Sequence, residues 1–327
     1  MMQTEQISHE AIKEESIQFQ FIAQEVSKII VGQEEIINFL LIALLCKGHV
    51  LLEGVPGVAK TTLVNALARA LGLSFKRIQF TPDLLPSDLI GTLIYNQKMQ
   101  EFETKKGPIF AHLILADEIN RAPAKVQAAL LEAMQERQVT IGSTTYKLEE
   151  PFLVFATQNP LEQEGTYRLP EAQIDRFMFK LHVDYPTPAQ EKQIMCTQRN
   201  INHLQPVITQ QTLLQTQAMI DSIYVDEKIV DYIIALIFAT RKPEAYNLQD
   251  IKRFIQYGVS PRATLALYQA VRAYAFLKKR HFVAPDDVKA VCSAILGHRL
   301  LLTYEADAEN ITSYTLIKKI LNTIPTP

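Results

Sequence analysis

The hydrophobic positions in the first half of the chain form short apolar runs separated by helix-length patterns. Nearly continuous apolar runs bounded by polar residues are typical of strands buried on both faces. Strands that alternate with helices indicate a mostly parallel sheet covered by helices. The pattern therefore predicts an α/β core with a five-stranded sheet, whose strands are residues 50–53, 77–80, 113–117, 153–157 and 177–181.

Two segments interrupt this alternation with the pattern of β-hairpins. Residues 92–95 and 101–104 flank one turn, and residues 139–141 and 145–148 flank another that reads Gly142-Ser143-Thr144. Exposed insertions of this kind more often contact partners than build a core. Contact with a partner is therefore one interpretation of the hairpins, and surface decoration is the other.

After residue 187 the pattern is helical, and we find no strand pattern there. Pro188 suits the first turn of a helix that Thr187 caps. Ser260-Pro261 and Pro285 are expected to open two further helices, over residues 262–280 and 288–296. The second half of the chain is therefore predicted to be an all-α lid.

Composition supports a division into two domains. A chain of 327 residues with 48% hydrophobic content can bury a sizeable core, and its length suggests about two domains. We predict a core of residues 1–187, in which residues 1–25 form an N-terminal helical extension, and a lid of residues 188–327. The net charge of −2 gives no electrostatic reason to expect a polyanionic partner.

The chain carries no pattern typical of a secreted, membrane or zinc protein. Residues 1–27 are polar and acidic, and the longest apolar runs, residues 39–46 and 232–239, are too short to span a bilayer. The three cysteines lie far apart, which is typical of a reducing compartment, and the seven histidines lack ligand spacing. We expect a soluble cytoplasmic protein.

A glycine-bearing loop follows the first predicted strand and precedes a helix. Such a loop can wrap phosphates with backbone N–H groups, while its lysine reaches the outer phosphates and its threonine meets Mg²⁺. The usual motif has glycine before the lysine, but a small alanine at helical φ/ψ can still allow close approach. A tight turn is the alternative to this variant phosphate loop, which reads Gly54-Val55-Pro56-Gly57-Val58-Ala59-Lys60-Thr61.

Polar residues follow two more predicted strands. Asp117 and Glu118 end the strand at residues 113–117, where one carboxylate can bind Mg²⁺ and the other can polarise the attacking water. Asn159 follows the strand at residues 153–157 and is placed to bind that water or the γ-phosphate. Two solvent-facing acids and an Asn-Pro turn are the alternatives.

Two arginines are candidates for stabilising phosphoryl transfer. Arg262 lies in the first turn of a predicted helix, where a cation opposes the helix dipole and contact with a phosphate would offset that cost. Arg176 lies before the last predicted strand, outside the reach of its own phosphate loop, and is a candidate to act on a neighbouring copy. The alternatives are a surface arginine and a local salt bridge with Asp175 or Glu171.

The ordered set of these motifs resembles the AAA+ ATPases. Several longer stretches narrow the resemblance to the MoxR family, and the likeness covers nearly the whole chain from about Val26. Arg168 departs from the family, which usually has proline there, whereas Ala59 is the residue that this family normally carries. The stretches are residues 117–123, 130–136, 156–160, 162–173 and 260–263.

The resemblance implies a role for each motif. Lys60 and Thr61 match the phosphate lysine and the Mg²⁺ threonine, Asp117 and Glu118 the metal and water carboxylates, and Asn159 the sensor 1 residue. Arg176 matches the arginine finger and Arg262 the sensor 2 arginine, while residues 30–33 match the segment beside adenine. The residues expected to bind the nucleotide are therefore Val31, Gly32, Gly54, Val55, Pro56, Gly57, Val58, Ala59, Lys60, Thr61 and Thr62.

The resemblance also implies an activity and partners. Similar proteins are chaperone-like ATPases that remodel or mature protein complexes, many with a partner bearing a von Willebrand factor A domain. We therefore expect an oligomeric, hexameric Mg²⁺-dependent ATPase with ATP between subunits. A nucleic-acid motor is an alternative that the charge and the lack of a basic stripe disfavour. A metal-chelatase motor subunit and a non-catalytic nucleotide-binding scaffold are the others.

Overall fold

The computed structural model of the protein describes residues 9–160, 166–196 and 200–327. The strands are β1 (Val50–Glu53), β2 (Phe75–Gln79), β3 (Gly91–Asn96), β4 (Glu101–Lys106), β5 (Leu113–Asp117), β6 (Gln138–Ile141), β7 (Thr144–Lys147), β8 (Leu153–Gln158), β9 (Phe179–His182), β10 (Ile255–Tyr257) and β11 (Leu301–Leu302). The helices are α1 (His9–Ser27), α2 (Glu34–Leu45), α3 (Lys60–Ala70), α4 (Pro86–Ile90), α5 (Ala124–Glu136), α6 (Glu171–Ile174), α7 (Pro188–Cys196), α8 (Gln210–Ile220), α9 (Glu227–Arg241), α10 (Pro261–Leu277), α11 (Pro285–Leu296), α12 (Tyr304–Ala308) and α13 (Ser313–Thr323).

The five predicted core strands form one parallel sheet in the order β2-β5-β8-β1-β9. Strands β1, β5 and β8 lie inside the sheet and are almost fully buried, which is why their sequences are continuous apolar runs. The prediction of a five-stranded parallel α/β sheet is confirmed, with strand ends shifted by up to two residues.

Both predicted hairpins are present as separate antiparallel pairs, β3–β4 and β6–β7. The hairpins contact each other, because the Thr104 hydroxyl lies 2.9 Å from the Tyr146 hydroxyl. Farther along the first hairpin, the rings of Tyr95 and Phe102 pack edge to face at 5.3 Å, and both side chains are exposed. The hairpins therefore support each other at one end and present apolar side chains at the other.

The second half of the chain is mainly helical, but the expectation that it contains no strand is wrong in one place. Strands β10 and β11 form a short antiparallel ladder in which Ile255 pairs with Leu302. These strands have three and two residues, too few to show an alternating pattern, so tertiary contact rather than local sequence determines them.

The predicted helix starts are confirmed in the lid. Gln190 and Thr187 cap α7 reciprocally: the Gln190 N–H donates to the Thr187 hydroxyl at 3.4 Å, and the Thr187 N–H donates to the Gln190 side chain at 2.8 Å. Helix α10 ends three residues before the predicted end at residue 280, because Lys279 adopts a left-handed conformation with φ of 61°.

Hydrophobic cores lie on both faces of the sheet. Alternate strand positions separate them: Leu52 and Leu115 face one buried cluster, whereas Leu51 and Ile114 face the other. The first cluster continues into the lid, where Phe19 of α1 packs edge to face against Phe276 of α10 at 5.6 Å. Core and lid are therefore joined by continuous apolar packing. Among the described residues, no helix is both long and apolar enough to cross a membrane.

Candidate functional site

The phosphate loop lies between the end of β1 and the start of α3, as the sequence predicts. Gly57 and Ala59 both have positive φ, of 89° and 61°. The expectation that Ala59 sits at right-handed helical angles is therefore wrong. Ala59 is the residue immediately before the helix, and a left-handed residue there turns successive N–H groups toward one concave side, which suits an anion. For an alanine this conformation costs about 1–2 kcal/mol.

Lys60 begins helix α3 and folds back over its own loop. Its ammonium donates to the carbonyl oxygens of Gly54 and Val55, the latter at 3.2 Å. Burial lowers the pKa of Lys60, while the nearby carboxylates of Asp117 and Glu118 oppose that shift. A cation is thus held beside the loop and within the field of both candidate catalytic carboxylates.

A cavity of about 520 Å³ adjoins the loop. One side is apolar and includes Val31, and the other includes the start of α3. The Gln33 side-chain amide joins the two by donating to the Val58 carbonyl at 3.2 Å. This volume is typical of small-molecule sites, and the two sides suit a flat ring and an anion. Of the predicted nucleotide-binding residues, the cavity is lined by Val31, Gly57, Val58, Ala59, Thr61 and Thr62.

The other predicted nucleotide-binding residues belong to the same two segments. Gly32 has φ of 75° and lies against the Gln190 side chain of α7, so the lid contacts this segment. Gly54 packs so closely on the chain that a Cβ atom there would lie 2.5 Å from the Val183 carbonyl. Val55 and Pro56 complete the loop between Gly54 and Gly57.

Asp117 and Glu118 follow one another at the carboxyl end of β5, and Thr157 of β8 fixes both. The Thr157 hydroxyl donates to Asp117 Oδ1 at 2.5 Å and accepts from the Glu118 N–H at 2.8 Å. Glu118 has φ of 56°, so this bond holds a strained backbone. Thr157 was not among the predicted site residues, although its place at the end of a buried strand was a usable signal.

Strand β2 holds the same two carboxylates from the opposite side. Arg77 donates through Nη2 and Nε to Asp117 Oδ2, at 2.6 and 2.9 Å, and the Gln79 amide donates to Glu118 Oε2 at 2.8 Å. Arg121 is also within 3.1 Å of Glu118 Oε2. The strand register explains these contacts, because Gln79 lies opposite Asp117. Arg77 and Gln79 were not predicted as site residues, because strand order is not a local property of the chain.

Asn159 lies at the same edge of the sheet. It is buried and follows β8, where the Gly54 N–H donates to the carbonyl of the preceding residue, Gln158, at 3.2 Å. The carboxyl ends of β1, β5 and β8 thus bring the phosphate loop, Asp117, Glu118 and Asn159 together. This is the edge at which parallel α/β sheets bind ligands.

The donor set fits a magnesium ion that shares its ligands with a phosphate. Among the described residues, no three His, Cys, Asp or Glu side chains are grouped to hold a metal. Mg²⁺ commonly takes only one or two protein ligands and completes its shell with water and substrate phosphates. The Thr61 hydroxyl at the start of α3 and the buried Asp117 carboxylate suit that mode of binding.

Arg176 and Arg262 lie together at the opposite edge of the sheet. Both line a second cavity, of about 430 Å³, whose wall includes His49 and Met178, the residues just before β1 and β9. Because β1 has four residues, about 10 Å of strand separates this edge from the phosphate loop. The structure therefore groups the two arginines with each other and places them at the other edge of the sheet from Lys60.

The surroundings of the two arginines are strongly basic. Arg176 donates to the Leu131 carbonyl at 3.1 Å, and Arg262 lies 3.9 Å from Asp175. Half of the Arg262 side chain is exposed, so it can reach a molecule outside its own chain. Three further cations, Lys47, Arg137 and Arg299, line the same cavity.

Two predicted features lie partly outside the described residues. They are the stretch at residues 162–173 that carries part of the family resemblance, of which residues 162–165 are not described, and the N-terminal extension, of which residues 1–8 are not described. Arg168 is described and exposed. The neighbouring Tyr167 is anchored, since its N–H donates to the Asn120 carbonyl at 2.6 Å and its carbonyl accepts from Gln127 at 3.0 Å.

Comparison with known proteins identifies the chain. Residues 49–179 match the ATPase family associated with various cellular activities (AAA), and residues 248–320 match the AAA lid domain. The chain is 50% identical over 304 residues to the chaperone MoxR1 of Mycobacterium tuberculosis, covering 93% of this chain and 81% of that protein. It is 35% identical over 321 residues to the protein MoxR of Paracoccus denitrificans, covering 91% and 93%.

The fold agrees with this relationship. The crystal structure of a candidate ATPase from Cytophaga hutchinsonii superposes with a TM-score of 0.91 at 49% identity, covering 97% of this chain and 98% of that chain. Family membership implies nucleotide binding, and the loop before α3 and the paired carboxylates are the features expected to perform it. The chain belongs to the MoxR family of AAA+ ATPases.

Proposed function

We propose that the protein is a Mg²⁺-dependent ATPase that hydrolyses ATP between neighbouring copies in a hexameric ring. The observation that carries this proposal is the division of the candidate residues between two edges of one sheet. Lys60, Asp117 and Glu118 lie at the carboxyl edge, and Arg176 and Arg262 lie at the amino edge. A head-to-tail contact between copies joins two different surfaces and can close into a ring.

In this proposal the carboxyl edge binds ATP. The loop N–H groups, the start of α3 and the Lys60 ammonium hold the triphosphate, while the apolar segment around Val31 holds the base. Thr61 and Asp117 hold Mg²⁺, which neutralises phosphate charge. Glu118 polarises the attacking water, and Asn159 orients it. Thr157, on a buried strand, holds the Asp117 carboxylate and the backbone N–H of Glu118.

The amino edge supplies positive charge to the neighbour's nucleotide. Arg176 and Arg262 open on the same basic cavity, and among the described residues none of the phosphate loop lines that cavity. An arginine supplied from a second molecule can accelerate phosphoryl transfer by about 10³–10⁵. The site is then complete only in the assembly, and isolated copies are expected to hydrolyse ATP slowly.

We further propose that hydrolysis drives chaperone-like remodelling or maturation of a partner protein complex. The relative from Mycobacterium tuberculosis is named a chaperone, which supports this role. The exposed aromatic side chains Tyr95 and Phe102 on the first hairpin are suited to contact a partner. The partner that we propose bears a von Willebrand factor A domain.

A steady-state ATPase assay with matched nucleotide-binding measurements tests the catalytic proposal. Wild-type protein is expected to release phosphate only with Mg²⁺ present, and Lys60→Ala is expected to lose ATP binding in calorimetry. Glu118→Gln is expected to bind ATP and Mg²⁺ but to release no phosphate above background. Normal turnover by the Glu118 variant would show that another group activates the water.

The same Glu118→Gln variant tests the remodelling proposal, because it should stay in the ATP-bound state. The variant, loaded with ATP, is expected to retain a purified partner carrying a von Willebrand factor A domain in size-exclusion chromatography, whereas Lys60→Ala is not. Equal retention by both variants, or by neither, would contradict ATP-dependent engagement of that partner.

A further inference from the structure

Arg299, an arginine of the lid, forms hydrogen bonds with the segment that carries Arg176. Arg299 follows α11, and only 7% of its surface is exposed. Its Nε donates to Asp175 Oδ1 at 2.9 Å, and its Nη2 donates to the carbonyls of Asp175 and Phe177 at 3.1 and 2.7 Å. Its Nη1 donates to the carbonyls of Met178 and Ile295 at 3.1 and 2.6 Å. All five donors of the guanidinium are therefore used.

These contacts surround Arg176 on both sides. The accepting carbonyls belong to residue 175 before it and to residues 177 and 178 after it. His298 adds a contact of 3.1 Å from its Nε2 to the Phe177 carbonyl. The backbone that orients the Arg176 side chain is thus fixed by two consecutive lid residues.

Asp175 connects the same segment to a second lid element. The Ser260 hydroxyl lies 3.0 Å from each oxygen of the Asp175 carboxylate, and Ser260 directly precedes α10, in which Arg262 lies. Ser260 is at the usual capping position, yet its hydroxyl binds the core and not the helix start. One carboxylate therefore joins the start of α10, the end of α11 and the residue next to Arg176.

The charge and the shape of the guanidinium explain why this position requires an arginine. Burial of the Arg299 guanidinium requires a partner, and Asp175 is the carboxylate that Arg299 contacts. A lysine keeps the charge but has three donors on one nitrogen, so it cannot span the carboxylate and the carbonyls on both sides of Arg176.

We propose that Arg299 and Asp175 are a positioning pair that holds Arg176 in place for catalysis in the neighbouring copy. The position of the lid then controls ATP hydrolysis at the site of that neighbour. This inference rests on the proposed function, in which Arg176 acts between copies. Displacing a catalytic group by about 1 Å can reduce a rate by about 100-fold. A shift of α11 or of the α10 start alters the Arg176 segment directly.

The test compares Arg299→Lys and Asp175→Asn with a matched pair elsewhere in the lid. Arg280 binds Asp287 through two contacts, of 2.5 and 2.8 Å, that lie within residues 280–287. Arg299→Lys and Asp175→Asn are expected to lower kcat by about 10–100-fold while the Kd for a fluorescent ATP analogue stays within about twofold. Arg280→Lys is expected to lower thermal stability with kcat within about twofold of wild type.

Mixed assemblies show whether the effect is on the neighbour. Lys60→Ala copies cannot bind ATP but carry an intact Arg176 and Arg299, so they are expected to restore turnover when mixed with Arg299→Lys copies. The mixture of Lys60→Ala with Arg176→Ala calibrates the assay. If that calibrating mixture regains activity and the Arg299→Lys mixture does not, Arg299 acts on its own site and the inference is wrong.

The outcomes also separate this inference from the proposed function. Wild-type kcat in Arg176→Ala would overturn the function proposed for Arg176. Loss of kcat in Arg176→Ala with wild-type kcat in the folded Arg299 and Asp175 variants would overturn only the positioning role. If those two variants fail to fold by circular dichroism, Ser260→Ala decides: a fall in kcat of about threefold or more supports the pair, and wild-type kcat refutes it.

Discussion

The Thr157 hydroxyl is the smallest group whose removal tests the geometry of the catalytic carboxylates. Thr157→Val keeps the shape of the side chain but leaves the partly buried Glu118 N–H without its acceptor and Asp117 Oδ1 without its donor. An unsatisfied buried group costs about 1–3 kcal/mol, and a lost hydrogen bond to a charged group costs about 1.5–3 kcal/mol. We expect the free energy of unfolding to fall by about 3 kcal/mol, measured in urea.

The catalytic effect separates this site from ordinary buried hydroxyls. Because the Glu118 backbone is strained and loses its anchor, we expect kcat to fall by about 10–100-fold. Thr240 offers a matched control, since its buried hydroxyl donates to the Ile237 carbonyl at 2.6 Å and accepts from the Val259 N–H at 3.2 Å. Thr240→Val should lose about 2 kcal/mol of stability with kcat unchanged.

Thr157→Ser is the conservative control for this test. Thr157→Ser retains the hydroxyl, so it should keep most of the wild-type kcat even though the lost methyl group reduces stability. If Thr157→Val hydrolyses ATP within about twofold of the wild-type rate, the hydroxyl does not position Glu118 for catalysis, and the reasoning from these two hydrogen bonds is refuted.

Three further predictions concern stability. Burial lowers the pKa of His49 to about 4. As the pH falls from about 6.5 to 4, His49 therefore takes up a proton in the unfolded state but not in the folded state, and the free energy of unfolding falls by up to about 3 kcal/mol. His49→Gln should reduce this dependence of stability on pH, measured by urea unfolding at several pH values. An unchanged dependence on pH would contradict the assignment. Ala59→Gly should melt no lower than wild type, whereas Ala59→Val should melt lower because a β-branched residue is strained at positive φ. Gly54→Ala should cost about 1–3 kcal/mol in urea unfolding, since its Cβ would meet the Val183 carbonyl at 2.5 Å, and a wild-type midpoint would show that this contact relaxes freely.

Local pattern was sufficient to predict the sheet and the sequence motifs of the site. The five core strands are continuous apolar runs because helices cover both faces of the sheet, and their composition alone identifies them. The phosphate loop and Asn159 directly follow such strands and Asp117 ends one, so predicting the strands also predicted that these residues share one edge. Neither the hairpins nor the helix starts required knowledge of distant contacts.

Features that depend on which helices and strands pack together could not be predicted from the local sequence pattern. Arg77 reaches Asp117 only because β2 pairs with β5, and no local pattern specifies that pairing. No local pattern specifies the hydrogen bond between Arg299 and Asp175 either, because the two residues lie 124 positions apart in the chain. The left-handed angles of Ala59 were missed for another reason: glycine normally marks such a position, and alanine hides it.

Mixing two inactive variants shows whether ATP is hydrolysed between neighbouring copies. Lys60→Ala removes the nucleotide but keeps Arg176, and Arg176→Ala keeps the phosphate loop but removes the arginine. In an equal, random mixture about one quarter of the interfaces combine the intact loop of one copy with the intact arginine of the next. Each variant alone is expected to be nearly inactive, and the mixture is expected to regain ATP hydrolysis up to about that share of the wild-type rate. A mixture as inactive as its components, or full activity of Arg176→Ala alone, would contradict hydrolysis between neighbouring copies.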